Sequence, residues 1–158
     1  PNEILFEKKK INIFYLGAAW DDWGNEDNAV YASLQGLSLR PGIEVETGDL
    51  SNASMLDEEF TNINMLLRYF KFGFGRASDI VNEKIRQGSL SRDTAIDLLK
   101  QYDGICSDRI INSFCAYVGI SQYEFWAIAN SYVNKSLFHV VEGQRPIPKF
   151  EVGVDYHD

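Results

Sequence analysis

Between residues 57 and 134 the chain alternates apolar stripes of helical period with helix-starting serines and helix-ending glycines. That punctuation leaves little room for anything but packed helices. Ser91, Ser107 and Ser121 each precede a run whose apolar residues recur at three and four positions, and Gly88, Gly104 and Gly119 follow such runs. A serine hydroxyl accepts from the free amides of a first turn, and glycine takes the left-handed conformation that closes a last one. Phe60, Ile63, Leu67, Phe70 and Phe74 form the first stripe, which ends near Gly73. Asp57, Glu58 and Glu59 fall in its expected first turn, where the helix dipole favours anions. Ser78 is the expected cap of the next helix, reaching about Gln87. Ala95, Leu98, Leu99 and Tyr102 mark the helix after Ser91, and Ile111, Phe114, Cys115 and Val118 the one after Ser107. Ser121 and Glu124 have the spacing of a capping box ahead of Phe125, Ile128, Ala129 and Tyr132. Connections of roughly two to five residues predict a mainly α fold, a compact bundle of about five to six helices.

The first third of the chain reads differently. Ile11 to Leu16, rich in β-branched and aromatic types, predicts a strand ending at Gly17, and Ile43 to Val45 is a weaker strand candidate. A turn over 21–26 precedes a short helix capped by Asp27 or Asn28 and reaching Leu34. Gly36, Pro41, Gly42 and Gly48 make 35–54 a long loop. The expected division is residues 1–26 as the end of an upstream α/β domain, 27–56 as short helix and loop, 57–135 as helical bundle and 136–158 as irregular tail.

Composition excludes several classes of function. No apolar run approaches the roughly 20 residues that span a bilayer, and the first residues lack the pattern of a secretory signal. A formal charge of −8 argues against a nucleic-acid binder. The two cysteines, Cys106 and Cys115, and the two histidines match no metal-ligand spacing, so no metal site is expected. A reduced, cytoplasmic setting is the expectation.

Against that acidity, residues 61–76 hold Arg68, Lys71 and Arg76 and no Asp or Glu. Arg68 reads as a cation in the last turn of a helix. Lys71 and Arg76, flanking Gly73 and Gly75, are candidates to bind an anionic ligand, with the amides that open the following helix as further donors. Asp79, Glu83 and Arg86 have the spacing of a surface ion-pair ladder. Asp103, in Tyr102-Asp103-Gly104, reads as a turn residue and a second-rank binding candidate. Trp20, beside Asp21, Asp22 and Trp23, is another, because carboxylates between aromatics suit a sugar. There is no Walker loop, no dinucleotide fingerprint and no nucleophile elbow, and no catalytic residue is assigned.

Lys71-Phe-Gly-Phe-Gly-Arg-Ala-Ser78, Glu83-Lys-Ile-Arg86, Gly88, Ser91-Arg92, Tyr102-Asp103-Gly104 and Glu124-Phe-Trp126 together resemble the C-terminal region of the N-acetyl sugar amidotransferases. Those enzymes belong to the ATP-pyrophosphatase-loop class and serve lipopolysaccharide O-antigen and surface-sugar synthesis. Ile11 to Gly17 with Trp20 is similar to the end of the family's nucleotide-binding α/β domain, and the likeness covers most of residues 11–135. Ser78 stands where threonine is usual, and Ala18-Ala19 replace more polar residues. The resemblance implies ATP-dependent conversion of an acetamido to an acetamidino group on a nucleotide-linked sugar, with ammonia from a glutamine amidotransferase partner. The family's Ser-Gly-Gly ATP loop does not occur here, so the chain is expected to be a C-terminal fragment with ATP bound mainly by residues outside it. Lys71, Arg76 and Asp79 would contribute to the substrate pocket, and the reading leaves room for a homodimer. The competing expectation is a helical interaction module that docks the amidotransferase partner.

Overall fold

The computed structural model describes residues 12–19 and 24–154, and the chain divides into two units, 1–38 and 39–158. In the first unit, residues 12–15 have no regular secondary structure and Leu16–Ala19 is a 3-10 turn. The strand expected over 11–16 does not form in its described residues. A strand requires a hydrogen-bonded neighbour, and β propensity without one does not make a ladder. Helix α1, Asn25–Leu34, follows Gly24 directly and has no side-chain cap, starting ahead of the expected Asp27 or Asn28. Trp20, Asp21, Asp22 and Trp23 lie outside the described residues.

The second unit carries α2 (Glu44–Thr47), α3 (Thr61–Phe72), α4 (Arg76–Arg86), α5 (Arg92–Tyr102), α6 (Asp108–Val118) and α7 (Gln122–Asn130). Two short strands, β1 (Phe138–His139) and β2 (Ile147–Pro148), pair antiparallel. The molecule is mainly helical, as its punctuation predicts. Ser91, Ser107 and Ser121 accept from Thr94 N, Ile110 N and Glu124 N, and Ser121 with Glu124 completes a capping box. Gly73 and Gly119 close α3 and α6 in the left-handed conformation, φ 83° and 78°.

Two starts in this second unit also differ from the expected ones. Helix α3 begins at Thr61, so Asp57, Glu58 and Glu59 precede it. Glu58 turns back to accept from Thr61 N at 3.0 Å, satisfying an amide that the helix leaves free. Helix α4 begins at Arg76 with Gly75 as N-cap, so Ser78 lies inside the first turn and does not cap it.

The core sits where α3, α6 and α7 meet. Ile63, Leu66 and Phe70 pack with Ile110, Ile111, Phe125 and Trp126. Helix α4 packs on α5 through Ile80, Val81 and Ala95, and α2 also touches α5. The segment after α7 crosses this core: Phe138 is fully buried, edge-on to Tyr69, Phe70 and Phe150. Asn134 N donates to Phe70 O at 3.0 Å and Lys149 N to Leu137 O at 2.8 Å, fixing its path. Both cysteines are buried and unpaired. Burial pushes the Cys106 thiol up to about 11, which makes it a protonated core residue.

Candidate functional site

The residues singled out for anion binding surround the turn from α3 to α4, and the structure gives each a different environment. Asp103 comes first because it explains how α4 starts. Tyr102 to Ile105 is a type II turn: Asp103 has φ −74° and ψ 135°, Gly104 has φ 73°, and Ile105 N donates to Tyr102 O. That turn aims the Asp103 carboxylate at the first turn of α4. It accepts from Gly75 N at 3.0 and 3.1 Å, from Ser78 N at 3.2 Å and from the Ser78 hydroxyl at 2.6 Å. The amides expected to receive an external anion are thus used by an internal carboxylate, which also complements the helix dipole. A Cβ on Gly75 would come 2.8 Å from Asp103 Oδ1, so the close approach itself requires glycine.

Arg76 turns the other way, into loop 49–55. Its Nη2 donates to the Ser54 hydroxyl, and its Nε lies 3.7 Å from Asp49 Oδ1, an ion-pair distance beyond hydrogen-bond range. Asp49 is almost fully buried and organises the loop. It accepts from Ser51 N at 3.1 Å, the Ser51 hydroxyl at 2.7 Å and Ser54 N at 3.2 Å. Arg40 Nη2 also reaches this loop, donating to the carbonyls of Ser54 and Met55. Two guanidinium groups therefore converge on Ser54, and the Asp49 carboxylate lies beside that of Arg76. The Nε of each is buried and has no hydrogen-bond partner among the described residues. Asn52 and Met55 hold φ of 56° and 51°, an unusual conformation for an unbranched apolar residue such as Met55. Neither Arg40 nor Asp49 stands out in the sequence. The only signal was the Gly- and Ser-rich composition of a long loop, because the pairing of Asp49 with a residue of α4 is tertiary.

Asp79 does not bond this loop; it binds Arg68 through two hydrogen bonds of 2.6 and 2.7 Å. Hydrogen bonding to Arg68 holds its carboxyl below the ordinary range, and the guanidinium also lies 4.7 Å from the centre of the Phe74 ring. Arg68 is thus structural. Lys71 joins neither cluster. It is exposed, its ammonium lies 5.3 Å from the Phe72 ring, and it has no carboxylate partner among the described residues. Lys71 lines instead a groove of about 800 Å³ floored by Ile63, Phe70, Phe125 and Ala129. The structure brings Arg76, Ser78 and Asp103 to one helix start, places Asp79 in that same first turn against Arg68, and separates Lys71 from them.

Among the described residues there is no cluster of three or more His, Cys, Asp and Glu suited to a metal, and no helix long and apolar enough to cross a membrane. Comparison with curated proteins and with solved structures gave no match. A family model described as "LPS biosynthesis protein WbpG-like, C-terminal domain" matches residues 56–150. Those residues run from just before α3 to Phe150, and they include the glycine turn, the Asp103 clamp and the segment that crosses the core. With more than half of its length so matched, the chain belongs to the WbpG-like C-terminal domain family of lipopolysaccharide biosynthesis proteins.

Proposed function

We propose that the chain is the helical C-terminal part of an ATP-dependent N-acetyl sugar amidotransferase, acting in the cytoplasm on a nucleotide-linked sugar. In this reaction the amide oxygen of the acetamido group attacks the α-phosphorus of ATP and pyrophosphate leaves. Ammonia from a glutamine amidotransferase partner then adds to the activated carbon, and AMP departs with the oxygen to give the acetamidino group. ATP is held by residues outside this chain, and the chain supplies contacts to the sugar nucleotide.

One observation carries the reading: Arg40 and Arg76 converge on Ser54 beside a backbone held in left-handed conformations, each with a buried Nε that makes no hydrogen bond. Two guanidinium groups held at one loop suit the diphosphate of a nucleotide sugar, which such groups bind in a planar fork. Asp103 and Asp79 hold the surrounding backbone, one by clamping the start of α4 and the other by tying α4 to α3. Substituting Arg76→Lys or Arg40→Lys keeps the charge and removes the fork. Each should weaken binding of a nucleotide-linked N-acetyl sugar by roughly ten-fold or more in calorimetry. Unchanged affinity in both variants, at unchanged melting temperature, would sink the site.

A second reading, an interaction module for the ammonia-supplying subunit, draws on the exposed rings of Phe74, Tyr117 and Tyr123. Tyr117→Ala and Tyr123→Ala should then weaken association with that subunit in sedimentation and leave sugar-nucleotide binding alone.

A further inference from the structure

The groove beside α3 shares no lining residue with the Arg40 and Arg76 cluster, and it has a polarity of its own. Its α3 wall carries Asn64, Arg68 and Lys71, while the opposite wall is apolar at Val118, Ile120 and Ile128, with Tyr132 its one polar side chain. No Asp or Glu lines it, although the chain carries a formal charge of −8. Arg68 is already neutralised by Asp79 at 2.6 Å, which leaves Lys71 as the cation able to meet a ligand. The two ends differ. Asn134 N bonded to Phe70 O brings the segment after α7 to the Lys71 end, and the Phe114 to Phe125 contact marks the opposite end, where no charged residue lines the groove. Helix rise puts Ile63 about 12 Å from Lys71 along α3.

We infer that this groove binds a single-chain amphiphile with a phosphate head, the head on Lys71 and the alkyl chain running along α3 towards Val118 and Ile120. The volume lies within the range of small-ligand sites, and a mostly apolar lining with one charged group at its mouth is their usual composition. An alkyl chain has no polar groups to satisfy along its length, which matches the apolar wall. A second copy would have to present the same concave surface to this one, and a concave groove does not complement itself.

Titration of the chain with dodecyl phosphate below its micellar concentration tests the assignment. Dodecyl phosphate should bind, while inorganic phosphate and dodecyltrimethylammonium should bind at least about ten-fold more weakly. Lys71→Glu should lower dodecyl phosphate affinity by about ten-fold or more. Ile128 is 56% exposed, so Ile128→Glu should fold normally and also lose binding. Equal binding of the cationic and anionic amphiphiles, no binding at all, or a dimer abolished by Ile128→Glu would each overturn it. Binding of UDP-N-acetylglucosamine in the same Lys71→Glu variant should stay unchanged, which separates this site from the arginine cluster. Dodecyl phosphate affinity that depends on Arg76 in place of Lys71 would likewise overturn the groove.

Discussion

At the scale of single residues, Asp103 shows how one side chain can define a helix end from a distance. It lies 28 positions from Gly75 and supplies the acceptor that α4 lacks in its own sequence. Removing it leaves the Gly75 and Ser78 amides and the Ser78 hydroxyl without that partner. Asp103→Ala should cost about 2 kcal/mol of stability in urea denaturation, as the loss of a strong cap does. Asp103→Asn should cost less, because its amide oxygen can still accept from one amide. Equal stability of Asp103→Ala and the wild type would mean that these bonds contribute nothing net. Arg76 is a different case. Its charge was legible from sequence, but its partners Asp49, Ser54 and the neighbouring Arg40 belong to a loop whose conformation no periodicity announces.

At the scale of elements, glycines that look alike in sequence are not equivalent. Gly104 and Gly119 both follow helices and both have positive φ, 73° and 78°. A Cβ on Gly119 would meet nothing within 4 Å, whereas one on Gly104 would come within 2.4 Å of the Tyr69 ring. Tyr69 is buried against Phe70 and Phe138 and cannot yield. Gly119→Ala should therefore cost about 1 kcal/mol, the conformational penalty alone. Gly104→Ala should cost about 2 to 4 kcal/mol, because overpacking adds to it. Thermal unfolding of the two variants measures the difference, and equal costs would contradict the close approach. The serine caps behave more uniformly: those of α5, α6 and α7 form as their spacing predicts, because a cap involves only three or four consecutive residues.

At the scale of the whole molecule, charged pairs join segments far apart in sequence, and they set the pH dependence. Arg109 of α6 bonds Glu46 of α2 and Glu59 ahead of α3, while Arg68 joins α3 to α4 through Asp79. Hydrogen bonding to these arginines lowers the carboxyls of Glu59 and Asp79 from ordinary values of 4.5 and 3.8. A lowered folded value means that the stabilisation is fully present above the ordinary value and is lost as pH falls through the lowered one. Urea midpoints should be level above about pH 5 and fall below about pH 4, with the unfolded chain taking up the extra protons. In Arg68→Gln the Asp79 share of that fall disappears, so the gap between wild type and variant should narrow in acid. A gap constant across that range would exclude the pair as its source. The sequence by itself determined the helical class, the serine caps of α5, α6 and α7 and the positive character of the α3 to α4 turn, because these depend on contacts within a few residues. Only the tertiary structure decided that Asp103 caps α4, that Arg76 serves loop 49–55, that Phe138 belongs to the core and that Lys71 faces an apolar groove. Each of those joins residues separated by long stretches of chain, and which partners meet is set by how the helices pack around their shared core.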